Sequence, residues 1–246
     1  MSREDYDPKA YWDERLRKNF TLRGVGHHVY YEGYNEWIYR AKARALRSVL
    51  PPSPGRALDV GSGIGWVVER LREAGFDTEG CDISPHAVSE LRARFPGTEF
   101  FQVQLGVDPL PREAGTYDLV TILDVTYHIV DDAIWSQGVR DLGALLKPGG
   151  HLIVLDRFGD SDDDAAAHVR FRARSTWAPV IASAGLRPDV TLPAYRWLSR
   201  GADEGIMRFS PVRLRGPVEY ALERLVPRAP HMRIARFVKS SSIPTG

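Results

Sequence analysis

Residues 58–67 read LDVGSGIGWV: a short apolar run carries Asp59 and then opens into three glycines at alternate positions. Gly61, Gly63 and Gly65 let a backbone turn pass close beneath a ligand, because glycine takes left-handed conformations at no steric cost. The helical pattern starting at Trp66 offers unpaired N–H groups at the same place. The chemistry implied is the cradling of a nucleotide-like cofactor. A dinucleotide fingerprint G-x-G-x-x-G would need a glycine at position 66, where this chain has Trp66. Asp82 follows Gly61 by 21 residues, at the end of the next strand pattern. A carboxylate there can accept both hydroxyl hydrogens of a ribose, and its competing use is to cap a helix. Past a third apolar run comes Asp124-Val125-Thr126-Tyr127-His128. A neutral imidazole at His128 suits proton acceptance near neutral pH, and a structural role is the equal alternative. Tyr127 reads as packing or substrate wall, since a phenol ordinarily titrates near ~10. A polar-aromatic set, His27, His28, Tyr30, Tyr31, Tyr34, Asn35 and Trp37, crowds the segment GVGHHVYYEGYNEW. His128, His28 and Tyr127 are the candidate catalytic residues.

These groups need a frame. Residues 5–50 read as largely helical with a break near Gly24–Gly33, and Ile38, Ala41, Ala45 and Val49 recur at helical spacing as a buried face. Pro51, Pro52 and Pro54 stop that helix. Strands are expected at Arg56–Val60, Thr78–Cys81, Glu99–Gln104, Tyr117–Leu123 and His151–Leu155, with helices at Trp66–Ala74, Ser84–Phe95 and Ala133–Leu146 between them. Ser84-Pro85 is an N-cap followed by proline at the first helical position. Lys147-Pro148-Gly149-Gly150 reads as a stop and turn. A helix near Ser175–Ala184, strands near Pro188–Leu192 and Met232–Val238, and an irregular insertion at 194–230 with one helix at Val218–Leu225 complete the chain. The acidic run GDSDDD at 159–164 reads as a solvated loop, and Arg170, Arg172 and Arg174 as a solvated or anion-facing strand. Alternation of this kind predicts an α/β fold, a doubly wound, mostly parallel seven-stranded Rossmann-like sheet with helices on both faces. The expected division is an N-terminal helical lid over 1–54 and a cofactor-binding domain over 55–246.

With 246 residues the chain can bury a sizeable core, and its net charge of +1 makes no general case for nucleic acid. The charge is uneven: from Arg187 onward eleven Lys/Arg face five Asp/Glu. Cys81 is the single cysteine, which excludes an intrachain disulfide and suits a reducing cytoplasm. No apolar run is long enough to span a bilayer, and residues 1–18 lack the apolar core of a signal peptide. The expected setting is cytoplasmic, as monomer or homodimer, with neither a nucleic-acid nor a membrane partner.

Asp59-Val60-Gly61 with the G-x-G-x-G spacing resembles the first motif of class I S-adenosylmethionine-dependent methyltransferases. TYDLVTILDVTYHIVDD at 116–132 is similar to that family's fourth-strand motif, and LKPGGHLIVLD at 146–156 to its fifth. The likeness covers residues 56–156 in the expected order. It implies S-adenosyl-L-methionine as cofactor and S-adenosyl-L-homocysteine as product, held by Asp59, Gly61, Ser62, Gly63, Gly65, Asp82, Ile83, Gln104 and Asp124. The family's acidic residue after strand three has no clean match, because Asp108 sits too close to Leu110-Pro111, leaving Gln104, a backbone group or a shifted Asp108 for the adenine. The resemblance also implies that the aromatic segment 24–37 forms a lid over a small-molecule acceptor. A metal is not expected, because Arg157 stands beside Asp156 where a second ligand would be needed. Twenty-eight Arg against five Lys fits a GC-rich bacterial genome, and with it secondary metabolism. The rivals are a non-methylating reaction such as cyclisation on the same fold, and a non-catalytic binding protein.

Overall fold

The computed structural model describes residues 3, 5–27, 30–110, 112–199 and 212–241. Three helices lead: α1 (Pro8–Lys18), α2 (Leu22–Val25) and α3 (Glu32–Val49). Pro8 starts α1 at a position where its missing N–H costs nothing, and the Asp7 carboxylate caps the backbone N–H groups of Lys9 and Ala10. The expected buried face of α3 is buried throughout, Ile38, Ala41, Ala45 and Val49 being joined by Tyr34, Tyr39, Lys42 and Leu46. Burial of a side chain such as Ile38 or Leu46 contributes about 1.5–3 kcal/mol, which fixes this helix against the sheet.

There follow β1 (Arg56–Val60), α4 (Trp66–Glu73), β2 (Asp77–Asp82), α5 (Pro85–Arg94), β3 (Phe100–Gln102), β4 (Tyr117–Leu123), a 3-10 turn (Thr126–His128), α6 (Asp132–Leu145) and β5 (Leu146–Asp156). Ser84 caps α5 through a hydrogen bond from the Ala87 N–H at 3.1 Å, with Pro85 at the first position as its sequence predicts. The remainder is β6 (Asp163–Ala166), β7 (Val169–Phe171), α7 (Arg174–Ser183), β8 (Leu186–Tyr195), α8 (Val212–Leu225) and β9 (Met232–Lys239).

The central sheet has seven strands in the order β3-β2-β1-β4-β5-β9-β8. Strands β1 to β5 pair in parallel, and β9 is antiparallel to both β5 and β8. Its faces alternate residue by residue. Leu152 and Val154 of β5 join the core under α6 and α7, whereas Ile153 and Leu155 join the core under α3. Strand order reverses between β1 and β4, which places a crevice beyond their carboxyl ends.

The structure departs from the sequence expectation at three points. Strand β5 begins at Leu146, so Lys147–Gly150 is a bulged strand start and not a turn; the register jumps between the pairs Tyr117–Leu146 and Leu119–His151. The acidic run is not a plain solvated loop. Its Asp163 opens a hairpin of β6 with β7, and its carboxylates bind the arginines: Arg170 to Asp164 and, at longer range, Asp162, Arg174 to Asp160, and Arg157 to Asp163. The insertion expected at 194–230 is more regular than anticipated within the described residues, as β8 reaches Tyr195 and α8 starts at Val212. Residues 200–211 of it lie outside the described residues.

Candidate active site

Beyond β1 the chain turns on Gly61, Gly63 and Gly65, with φ of 75°, 52° and 80°. The Gly61 and Ser62 N–H groups donate to the Cys81 carbonyl at 2.8 and 3.0 Å, tying the turn to the end of β2. A Cβ at Gly61 would collide with Val125 beyond β4, and one at Gly63 with Val25 of α2. The turn is therefore packed from two sides, and glycine is a steric requirement at both positions. Gly65 does different work: it starts α4 and faces Leu91 and Phe95, outside the cavity lining.

A cavity of about 280 Å³ occupies the crevice. Gly61, Ser62, Gly63, Asp82, Ile83 and Gln104 line one end, so six of the nine expected cofactor residues converge there. Asp82 is buried, its Oδ2 accepting the Gly63 N–H at 2.8 Å and its Oδ1 the Ser84 N–H at 2.9 Å. Burial pulls its pKa upward against those bonds. Asp124, the seventh, also lines the cavity, with φ of 63° at the end of β4. Asp59 does not line it. Its Oδ1 accepts from the Thr121 hydroxyl at 2.8 Å, its Oδ2 is buried without a hydrogen-bond partner, and burial pushes its pKa up to about 7. Asp108 is turned back onto the chain, accepting the Gln104 N–H at 2.8 Å, which leaves the Gln104 side of that turn to line the cavity.

Lys42 is the residue that sequence reasoning missed. It sits on the buried stripe of α3, lines the cavity, and forms an ion pair with Asp124, while its ammonium lies 4.3 Å from the Tyr39 ring centroid. A lysine among Ile38, Ala41 and Ala45 was the available signal, because a cation on an apolar helix face needs a buried partner. Tyr127 supports the same pair, its hydroxyl donating to Asp124 Oδ1 at 2.9 Å. Its phenol pKa is driven well up by burial, and it is absent from the cavity lining.

His128 lines the cavity, packed at 4.8 Å edge-on to Trp12. Its Nδ1 is 2.8 Å from the His168 carbonyl oxygen. A carbonyl only accepts, so Nδ1 carries the proton and Nε2 keeps the lone pair. Burial pushes the His128 pKa down to about 3, which holds the ring neutral. His28 lies outside the described residues.

The aromatic wall comes from elsewhere than expected. Tyr6, Trp12 and Leu16 of the α1 region, Tyr39 of α3 and Trp66 of α4 line the cavity, and of the described residues of 24–37 Val25 alone does. Tyr34 and Asn35 instead build structure: Tyr34 donates to Glu219 of α8, and Asn35 Oδ1 accepts the His27 N–H at 3.0 Å. Asp13 anchors α1 over the site, accepting the Ser84 hydroxyl at 2.7 Å and the His86 N–H at 3.0 Å. The signal for this roof was Trp12 and Leu16, one helical turn apart behind the Asp7-Pro8 cap. Arginines 170, 172 and 174 do not face the cavity. Arg172 is buried and donates to Asp132, to the Ile129 carbonyl at 2.8 Å and to the Thr126 carbonyl at 3.5 Å, clamping the 3-10 turn that carries His128. Among the described residues no three His, Cys, Asp or Glu side chains group to hold a metal.

A reversed final strand at this place in the sheet, a glycine turn after β1 and an acid ending β2 define a Rossmann-like protein with a nucleoside-type cofactor crevice. A methyltransferase-domain family model matches residues 34–214. The chain belongs to the class I S-adenosylmethionine-dependent methyltransferases. It is 32% identical over 128 residues to a ubiquinone biosynthesis O-methyltransferase of Vibrio parahaemolyticus, covering 49% of this chain and 53% of the relative. The chain thus spans about half the length of the curated relatives it matches, and their names place them in ubiquinone biosynthesis and not in secondary metabolism. The Burkholderia thailandensis 1,6-didemethyltoxoflavin-N1-methyltransferase, solved with S-adenosylhomocysteine, has the same fold at a TM-score of 0.57 and 16% identity, covering 96% of this chain and 92% of that one. So does the cyclase SpnF, at a TM-score of 0.58 and 17% identity over 82% of this chain and 81% of that one.

The residues present fit the family's cofactor. Gly61 and Gly63 put backbone without side chains on the cavity lining, Asp82 offers a carboxylate beside them, and Lys42 with Asp124 presents one charge of each sign.

Proposed function

We propose that this chain transfers the methyl group of S-adenosyl-L-methionine to an oxygen of a small-molecule acceptor. The observation that carries the reading is one continuous cavity lined at one end by the glycine turn and Asp82 and elsewhere by Tyr6, Trp12 and His128. The O-methyltransferase names of the curated relatives support oxygen as the methylated atom.

When bound, the cofactor supplies an activated methyl on a sulfonium, so no protein nucleophile is required. Asp82 is the ribose ligand in this reading, and Gly61 and Gly63 let the backbone pass close beneath the cofactor. The Lys42–Asp124 pair would hold a zwitterionic amino-acid end, offering a cation for its carboxylate and an anion for its ammonium. Gln104 lies at the adenine end. The α1 roof covers part of the cavity with Tyr6, Trp12 and Leu16.

His128 orients the acceptor. Its Nε2 lone pair takes a hydrogen bond from the acceptor's O–H, which aims an oxygen lone pair at the methyl carbon. As the acceptor oxygen gains the methyl group its proton passes to Nε2, and a ring whose pKa is held near 3 gives it up to solvent once the product departs.

The test is a thermal-shift titration with S-adenosylhomocysteine followed by mass spectrometry of candidate hydroxylated acceptors incubated with enzyme and S-adenosylmethionine. A rise in melting temperature and a product heavier by one CH2 are expected. A product of unchanged carbon count, with the cofactor unconsumed, would move the chain to a non-methylating reaction.

A further inference from the structure

Helix α8 is amphipathic in the reverse sense. Its inner face carries both of its carboxylates and one guanidinium: Glu219 accepts from the Tyr34 hydroxyl, Glu223 accepts the backbone N–H groups of Arg196, Trp197 and Leu198 at 2.7 to 3.1 Å, and Arg215 is buried. Its outer face carries the hydrocarbon. Leu214, Val218 and Leu225 are 55%, 41% and 75% exposed, and Ala221 between them is exposed as well. Their spacing of four, three and four residues confines them to a stripe about 60° wide. Exposed apolar residues scattered singly need no explanation, but a stripe at helical period on a helix whose acids point inward does.

The surroundings say what covers it. Arg213 and Arg224 are exposed beside the stripe, and both carboxylates of the helix are turned away from it. At its C-terminal end the Arg228 guanidinium lies 4.7 Å over the Trp197 ring, whose indole N–H donates to the Val226 carbonyl at 3.0 Å. Apolar side chains edged by arginine and an amphipathic indole match the chemistry of a bilayer surface, hydrocarbon below and anionic headgroups around. A second copy fits less well. Antiparallel pairing of two α8 helices about a two-fold axis sets Arg213 near the other copy's Arg224, with no carboxylate of either helix on that face.

We propose that the outer face of α8 docks on an anionic lipid surface, the helix lying in the plane of the interface. No helix among the described residues is long and apolar enough to cross a membrane, so the contact is peripheral. It runs against the sequence expectation of no membrane partner. The docked face is one helix away from the cavity, since α8 packs on α3 through Tyr220 against Trp37 at 5.2 Å, and α3 carries Tyr39 and Lys42.

The experiment is co-sedimentation of the full chain with vesicles of phosphatidylcholine alone and of phosphatidylcholine mixed with phosphatidylglycerol, at low and high salt. Binding to the mixed vesicles at low salt, weakened by added salt, is expected. Arg224→Gln should weaken it about 5-fold and Leu225→Gln about 10-fold, both with unchanged melting temperature. Failure to bind the mixed vesicles at low salt overturns the proposal, as does equal binding by Leu225→Gln. A concentration-dependent dimer that Leu225→Gln abolishes also overturns it, assigning the face to self-association. None of these outcomes depends on which reaction the cavity catalyses.

Discussion

Replacing Lys42 by methionine removes one half of the ion pair at the cavity and keeps nearly the same length of side chain. The Lys42 side chain is 5% exposed and that of Asp124 18%. Removing one partner of a fully buried pair costs about 3–5 kcal/mol, because the survivor stays desolvated without its counter-charge. Here Asp124 keeps some solvent and the Tyr127 hydroxyl at 2.9 Å, which places Lys42→Met near the lower limit, about 3 kcal/mol. Asp124→Asn should cost a similar amount. Asparagine tolerates the left-handed backbone at φ 63° and can still accept from Tyr127, so the loss is the stranded ammonium. The double variant strands no charge and should be destabilised by about 1 kcal/mol or less, well below the sum of the two single losses. Urea denaturation followed through the six tryptophans measures each corner of the cycle. Each single variant should also melt about 6–12 °C below wild type. Destabilisations that add to within about 0.5 kcal/mol would refute the pairing.

Asp82→Ala should lose the melting-temperature rise that S-adenosylhomocysteine gives the wild type, and an equal rise in both would sink the ribose assignment. His128 ties acid stability to the site: its folded pKa is depressed to about 3 against 6.5 for the free side chain, so the unfolded chain binds the extra proton first. Stability is therefore present above pH 6.5 and lost as pH falls toward 3, by about 2 kcal/mol at pH 5. A His128→Gln variant should lack that part of the loss, and urea titrations at pH 7 and pH 5 that show the same fall in both proteins would contradict it. Arg172→Met should cost about 3 kcal/mol, whereas Arg170→Met, whose ion pairs are more exposed, should cost about 1 kcal/mol or less. Comparable losses in the two would show that the clamp on the 3-10 turn is not what Arg172 provides.

The cofactor end of the site could be read from the chain because its parts are local. Gly61, Gly63 and Asp82 stand at the ends of adjacent strands and line the cavity, whereas Asp59 and Gly65, read from the same motif, face Thr121 and Leu91 outside it; period-two and period-3.6 patterns place those strand ends without any long-range contact. The succession of strands along the chain up to β5 follows from the same alternation, whereas their spatial order is a property of the packed sheet. Lys42 was hidden because its partner is 82 residues away, and only burial of α3 against the sheet brings the charges together. Within the N-terminal segment 1–54, the aromatic wall falls at other residues than expected for a related reason. Segment 24–37 has the aromatic density expected of a lid, but Tyr34 is spent on α8, and the wall falls to Tyr6 and Trp12 because Asp13 seats α1 on the start of α5. His128 shows the division most plainly. Its place after β4 is a property of the sequence, while its tautomer and low pKa come from a backbone carbonyl 40 residues on and from the rings packed around it. Local patterning determines where a side chain leaves its strand or helix. Which distant group meets it, and whether water is kept out, is decided when the layers pack.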